Sequence, residues 1–224
     1  MPALFVTGTG TEIGKTYVTA ALLQALRARG HAVDAFKPVV SGFDPAFASD
    51  SDPGRLLAGL ARPVTPETVA EMSPWRYAAP LSPPLAAKME GRALVMDEVA
   101  QACRERIDRA GDTLLLIEGA GGIMSPVDED HTNLDLIQRL GAPILLVSGS
   151  YLGTISHTLT AVEAARARCV AIAAIVVSES EGEPPDLAET VAAIARFTPG
   201  VTVVAAPRSA GPGWETSLTD QLGL

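Results

Sequence analysis

The chain predicts an α/β fold: a doubly wound, mostly parallel sheet with helices on both faces. Three observations carry that reading. Short β-rich apolar runs alternate with helical patterns along most of the 224 residues. The runs are continuously apolar rather than alternating, which suits strands covered on both sides. The first run, Ala3-Leu4-Phe5-Val6, leads through a glycine-rich turn straight into a helix, as a βα unit of an open sheet does.

Strands are expected at Ala3–Thr7, Ala32–Phe36, Thr113–Ile117, Pro143–Val147, Val170–Val177 and Val201–Val204. The first helix, Tyr17 to Arg29, sets Val18, Ala21, Leu22, Ala25 and Leu26 on one side. Arg27 and Arg29 suit its negative end, and Gly30 provides a left-handed stop. Further helices are expected from Ser156 to Arg168, entered from Gly153-Thr154, and from Leu187 to Phe197, opened by Pro184-Pro185-Asp186. The stretch between Val40 and Thr113 is too long for an ordinary βα connection. It shows helical patterns near Arg55–Ala61, Pro84–Glu90 and Asp97–Arg109, and no convincing strand. We read residues 45–110 as a helical, lid-like excursion between strands two and three, within one domain spanning residues 1–224.

Bulk composition narrows the function. The chain is 47% apolar and 19% charged, ordinary for a soluble globular protein. A net charge of −9 argues against a nucleic-acid or anionic-membrane binder, both of which need a basic surface. No basic stretch precedes the first apolar run, and the longest such run, Cys169 to Val177, is too short to span a bilayer. Cys103 and Cys169 read as two buried, reduced thiols, and His31, His131 and His157 lack ligand spacing. A cytoplasmic protein is expected, with any anion-binding charge concentrated locally.

That charge has a clear location. Gly8 to Thr16 reads Gly-Thr-Gly-Thr-Glu-Ile-Gly-Lys-Thr. Such a turn bares successive backbone N–H groups, and the helix behind it adds a partial positive charge. Lys15 supplies a full cation for outer phosphates, and the Thr16 hydroxyl is placed to ligate magnesium. The fold is therefore P-loop NTPase-like, although Gly8 and Gly14 enclose one residue more than the common spacing.

Four further residues bear on the chemistry. The run Leu114-Leu115-Leu116-Ile117-Glu118 ends a buried strand in a carboxylate, followed by Gly119, Ala120, Gly121 and Gly122. Glu118 then stands at the same sheet edge as the phosphate loop, a sensible second magnesium ligand. Lys37 ends the second strand and is held extended by Pro38, so it can meet charge on a transferred phosphoryl group. Asp50 and Asp52 open a helical pattern, where N-capping is the default and metal ligation the alternative.

Together these residues resemble the dethiobiotin synthetase family. The run Phe5-Val6-Thr7-Gly8-Thr9-x-Thr11-Glu12-x-Gly14-Lys15-Thr16 is similar to its phosphate loop, extra residue included. Lys37-Pro38-Val39-x-Ser41-Gly42, Glu118 to Gly122, and Leu152-Gly153-Thr154-Ile155 resemble three more of its signatures, in order. The resemblance implies an ATP-dependent cyclo-ligase that carboxylates 7,8-diaminopelargonic acid with CO2 and closes a ureido ring. It implies magnesium on Thr16, Asp52 and Glu118, and catalytic roles for Lys15 and Lys37. Glu12, Ile13, Gly14, Lys15, Thr16 and Tyr17 would wrap the phosphates, beside Gly119, Ala120 and Gly121. Thr11, Lys37, Ser41, Gly153 and Thr154 would meet the diamine, the last two across a homodimer. Ser178, where the family usually has an asparagine that reads adenine, and Pro207, Arg208 and Ser209 would line the base pocket. The competing reading is a nucleotide-dependent switch or partitioning ATPase with no small-molecule substrate.

Overall fold

The computed structural model describes residues 3–208 and 213–224. In chain order the strands are β1 (Ala3–Gly8), β2 (Val33–Phe36), β3 (Val39–Ser41), β4 (Trp75–Tyr77), β5 (Leu114–Glu118), β6 (Ile144–Gly149), β7 (Ile172–Ser178) and β8 (Val203–Ala206). The helices are α1 (Lys15–Ala28), α2 (Asp52–Gly59), α3 (Pro66–Met72), α4 (Pro83–Met89), α5 (Met96–Ala110), α6 (Asn133–Leu140), α7 (Thr154–Ala167), α8 (Leu187–Phe197) and α9 (Trp214–Leu222). All six expected strands join one sheet in the order β2-β5-β1-β6-β7-β8, paired in parallel throughout. Among the described residues, no helix is long and apolar enough to cross a membrane.

The apolar runs are continuous because alternate residues feed two separate cores. Phe5, Leu115, Ile117, Leu146, Ile175 and Val177 point to one, which α5, α6, α7 and α8 cover. Leu4, Val6, Leu116, Leu145, Val147 and Val176 point to the other, beneath α1, α2 and α9. A fully buried aliphatic side chain contributes roughly 1.5–3 kcal/mol, so both faces must be sheathed for the sheet to persist. In α1, Val18, Leu22 and Leu26 are buried as the periodicity requires, and Gly30 adopts φ 83° to end the helix.

Two expectations need correction. The excursion at 45–110 contains a strand: β4 pairs in parallel with β3, and the two form a small second sheet. Each has only three residues, too few for a periodic signal. The excursion is also built into the cores, through Leu56, Leu57, Val69 and Met72 on one side and Met96, Val99 and Cys103 on the other. Secondly, Cys169 is exposed, because it occupies a left-handed turn (φ 54°) between α7 and β7. Cys103 is buried as expected, and burial pushes its thiol pKa up to about 12.

The start of α2 depends on Gly54. A β-carbon there would lie 2.1 Å from the Ala48 carbonyl oxygen and 2.7 Å from that of Ser49. Replacing glycine by alanine inside a helix ordinarily stabilises by roughly 0.5–1 kcal/mol. Here the obstacle is backbone, so Gly54→Ala is expected to destabilise by about 1–3 kcal/mol. Urea unfolding reads the sign; a gain in stability would show that the 48–52 turn yields freely.

Candidate functional site

The phosphate loop leaves β1 and closes on Gly14, whose φ of 97° puts it in the left-handed region as N-cap of α1. A side chain at Gly14 would strike the Ser178 hydroxyl at 2.4 Å. From the far side Gly122 closes on the loop: its β-carbon would sit 3.1 Å from both Gly10 N and Gly8 O. Asn133 holds that second turn by donating to the carbonyls of Ala120 (2.7 Å) and Gly122 (2.8 Å). Lys15 Nζ donates to the Gly10 carbonyl at 2.8 Å, across the loop it follows.

Beneath the loop, four side chains from four elements converge. Glu118, at the end of β5, is fully buried. Its Oε1 accepts from Lys37 Nζ at 2.7 Å and lies 2.8 Å from Thr16 Oγ1. Lys37 also reaches Asp52 Oδ2 at 3.0 Å, and Asp52 Oδ1 lies 2.8 Å from the same Thr16 hydroxyl. Lys37 is 3% exposed and Asp52 41%, so the cluster is closed below and most open toward the cleft at Asp52. Asp52, not Asp50, is thus the aspartate in contact with this cluster, and the helix cap expected of the pair belongs to Ser51, whose hydroxyl accepts from Gly54 N.

The Thr16 hydroxyl carries one hydrogen and faces two carboxylate oxygens at equal distance. Three hard oxygens around one proton form a donor set suited to a small divalent cation. Among the described residues no group of three or more His, Cys, Asp or Glu side chains could hold a metal. A magnesium ion here would therefore complete its shell with phosphate oxygens and water, as it does with nucleotides. The donor set fits that ion.

The electrostatics follow from burial and proximity. Burial opposes the Lys37 ammonium, but the charges of Glu118 and Asp52 and their hydrogen bonds outweigh it and hold its pKa above the ordinary lysine value. Burial also tends to raise the Asp52 pKa, yet Lys37, Thr16 and Lys15 bring it below the usual carboxylate range. For Lys15 burial prevails, aided by the positive charge of Lys37, and the pKa falls to about 8 despite Glu118, Asp52 and Glu12.

A cleft of about 660 Å³ opens over this cluster. Residues 11–17, Lys37, Ser41, Asp52, Ala120, Gly121 and Arg208 line it. Glu118 lies under its floor, and Gly119 sits behind the wall, close to Phe5 and Asn133. Ser178 is fully buried behind Gly14, its hydroxyl without a partner among the described residues, and does not line the cleft. Pro207 accepts a hydrogen bond from Tyr17 Oη at 2.8 Å, and the Arg208 guanidinium lies 4.6 Å from the Tyr17 ring centre. Ser209 falls outside the described residues. Gly153 and Thr154 line a different, largely apolar cleft of about 910 Å³ with Leu152, Ile155 and Phe197. The Thr154 hydroxyl is turned inward, to the Gly149 carbonyl and the Ser148 hydroxyl.

Sequence reasoning passed over Thr19, Asn133 and Arg55. Thr19 Oγ1 lies 2.6 Å from Glu118 Oε2, and Arg55 lines the cleft. Thr19 follows Thr16 by three residues and so shares its helix face, a spacing that was available to find it.

The depressed Lys15 pKa makes stability depend on pH. Between about pH 8 and the unfolded value of 10.5, the unfolded chain binds more protons at this site than the folded one. Stability at Lys15 therefore rises with pH across that window. Relative to Lys15→Met, the ligand-free wild type should gain roughly 1–2 kcal/mol between pH 7.5 and 9.5 in urea unfolding. Parallel pH profiles for the two proteins would contradict a destabilised Lys15 ammonium.

Comparison with known proteins gives a consistent result. A family model described as an AAA domain matches residues 2–208. The chain is 55% identical to the ATP-dependent dethiobiotin synthetase BioD of Caulobacter sp. (strain K31), over 99% of this chain and 94% of that protein. It is 49% identical to the one of Phenylobacterium zucineum (strain HLK1), over 99% and 95% of the two chains. Among solved structures, the hydrogenase maturation factor HypB of Archaeoglobus fulgidus superposes with a TM-score of 0.58 at 16% identity, covering 99% of this chain and 88% of that one. The MinC:MinD complex of Aquifex aeolicus gives 0.53 at 12% identity, covering 98% and 84%. These last two bear on the fold alone, that of the P-loop NTPases.

Proposed function

This chain belongs to the ATP-dependent dethiobiotin synthetase family, and on that premise we propose that it converts 7,8-diaminopelargonic acid, CO2 and ATP into dethiobiotin, ADP and phosphate. The observation that carries the reading is the buried cluster of Lys37, Glu118, Asp52 and Thr16 under a phosphate loop. The reaction needs two anions brought together, a carbamate and a triphosphate; Lys15 and the loop N–H groups supply positive charge for them, while the charge of Lys37 is matched within the cluster by Glu118 and Asp52.

In this reading one substrate amine adds to CO2 and loses a proton to become a carbamate. A carbamate oxygen attacks the γ-phosphorus, and ADP leaves with the electron pair of the broken P–O bond. The second amine then attacks the carbonyl carbon of the mixed anhydride, the ring closes and phosphate departs. The substrate is its own nucleophile, so the chain needs only to orient and neutralise. The loop N–H groups and Lys15 receive the phosphates. Lys37, kept protonated by its two carboxylates, offers a fixed charge to the transferring phosphoryl oxygens. Thr16, Asp52 and Glu118 would hold magnesium, which when bound neutralises charge between the outer phosphates. Thr11 and Ser41, on the cleft wall, are the diamine contacts in this account. Arg208 on Tyr17 suits the base end of the nucleotide, and a lid role within residues 45–110 falls to the cleft-lining turn at 50–52.

We further read the protein as a homodimer in which the diamine tail reaches the partner near Gly153 and Thr154. The support is the apolar cleft there, with Leu152 91% exposed.

ADP release measured with and without the diamine plus bicarbonate tests the activity. Turnover only with the diamine is expected; equal turnover without it would favour the switch-type ATPase. Lys37→Ala should lower kcat by at least roughly 100-fold, about 3 kcal/mol of transition-state stabilisation. Near-normal kcat would remove Lys37 from catalysis. Sedimentation of the active protein should give a dimer, and a fully active monomer would contradict the shared site.

A further inference from the structure

We propose that Thr19 is a positioning residue for Glu118: with Thr16 it clamps the carboxylate so that one oxygen faces the metal–phosphate site and the other faces away. The inference rests on the reading of that cluster as a magnesium–nucleotide site, not on the identity of the second substrate.

Glu118 brings a buried charge to the end of β5, and each of its oxygens requires a partner. Oε1 is served by Lys37 and Thr16, at 2.7 and 2.8 Å. Oε2 has Thr19 Oγ1 at 2.6 Å as its hydrogen-bond donor. Thr19 is itself fully buried and does not line the cleft. Its hydroxyl also lies 2.9 Å from the Lys15 carbonyl, a common back-bond within helices. One hydrogen cannot serve both acceptors. The carboxylate oxygen is closer and charged, while the carbonyl already takes the helix's own N–H, so the hydrogen belongs to Glu118.

Thr16 and Thr19 stand three residues apart on α1, on one helix face, and grip opposite oxygens of the same carboxylate. Rotation about the last side-chain bond of Glu118 is therefore blocked at both ends. The consequence is directional: Oε1 is presented beside Asp52 and Lys37, and Oε2 is withdrawn from any ligand. Without the Thr19 hydroxyl the carboxylate can turn, and the geometry shared by Lys37, Thr16 and a bound cation loosens.

Three proteins decide the matter: wild type, Thr19→Val, which keeps the shape and loses the hydroxyl, and Thr19→Ser, which keeps the hydroxyl. Calorimetry gives the affinity for ATP with excess magnesium and for ATP with a chelator. Loss of a hydrogen bond behind a metal ligand typically costs 10–100-fold in metal affinity or activity. Thr19→Val should therefore weaken magnesium–ATP binding by about tenfold or more while leaving chelated ATP within about twofold, and Thr19→Ser should stay within about threefold of wild type. Should valine not fold, Thr19→Ala removes the same hydroxyl and is read the same way. Equal magnesium dependence in wild type and the hydroxyl-free variant overturns the clamp, and so does failure of serine to rescue. A protein that shows the expected pattern yet never turns over the diamine leaves the clamp standing and overturns only the substrate assignment.

Discussion

A single buried ion pair organises this molecule. Lys37 directly follows β2 and Glu118 ends β5, adjacent parallel strands, and both side chains are almost wholly removed from water. Buried ion pairs are weak evidence for stability, because desolvation offsets much of the attraction. Removing one partner is another matter, since the remaining charge is then stranded at a cost of about 3–5 kcal/mol. Here the pair is hydrogen-bonded outward as well, to Thr16 on α1, Thr19 on α1 and Asp52 on α2. Four separate elements are thereby fixed relative to one another at the sheet edge where the phosphate loop emerges. Each charge in the site is held by more than one partner, Lys37 by Glu118 and Asp52, and Glu118 by Lys37, Thr16 and Thr19.

That constraint also explains the division of labour between the two lysines. Lys37 has two carboxylates and keeps its proton firmly. Lys15 is buried, with a backbone carbonyl for company and the repulsion of Lys37 nearby, so its charge is poorly compensated. A poorly compensated ammonium beside bare N–H groups is a site primed for an anion: phosphate would supply the charge that the protein withholds. Lys37, in contrast, is preorganised: its charge is already fixed in place by Glu118 and Asp52.

Much of this was legible because the chemistry sits at strand ends and helix starts, where residue type and position are read together. Lys15, Thr16, Lys37 and Glu118 all occupy such places, and the strand–turn–helix context turned each from a surface polar residue into a site residue. The six strands of the main sheet were equally plain, since residues sheathed on both sides leave uninterrupted apolar runs. Part of what escaped had no periodic mark. Strands β3 and β4 are three residues each and pair across an excursion of helices. Helix α6 is short and follows an irregular turn, although its capping pair Thr132 and Asp135 was readable in retrospect. Thr19 looked like one more small residue on an amphipathic helix, and Ser178 looked like a cleft residue until Gly14 was found packed over it. The Gly14–Ser178 contact joins residues far apart in sequence, which spacing does not encode, whereas Thr19 was within reach through its three-residue offset from Thr16.

The most direct test is a double-mutant cycle on the ligand-free protein, combining Lys37→Met and Glu118→Gln and measuring unfolding free energies in urea. Because removing either charge leaves the other buried without its closest counter-charge, the account expects the double variant to be more stable than the sum of the single losses implies, with a coupling of at least about 1.5 kcal/mol. Additivity within about 0.5 kcal/mol would mean that the pair does not interact as described. The central constraint would then be lost, and with it the basis for treating this sheet edge as one preorganised site.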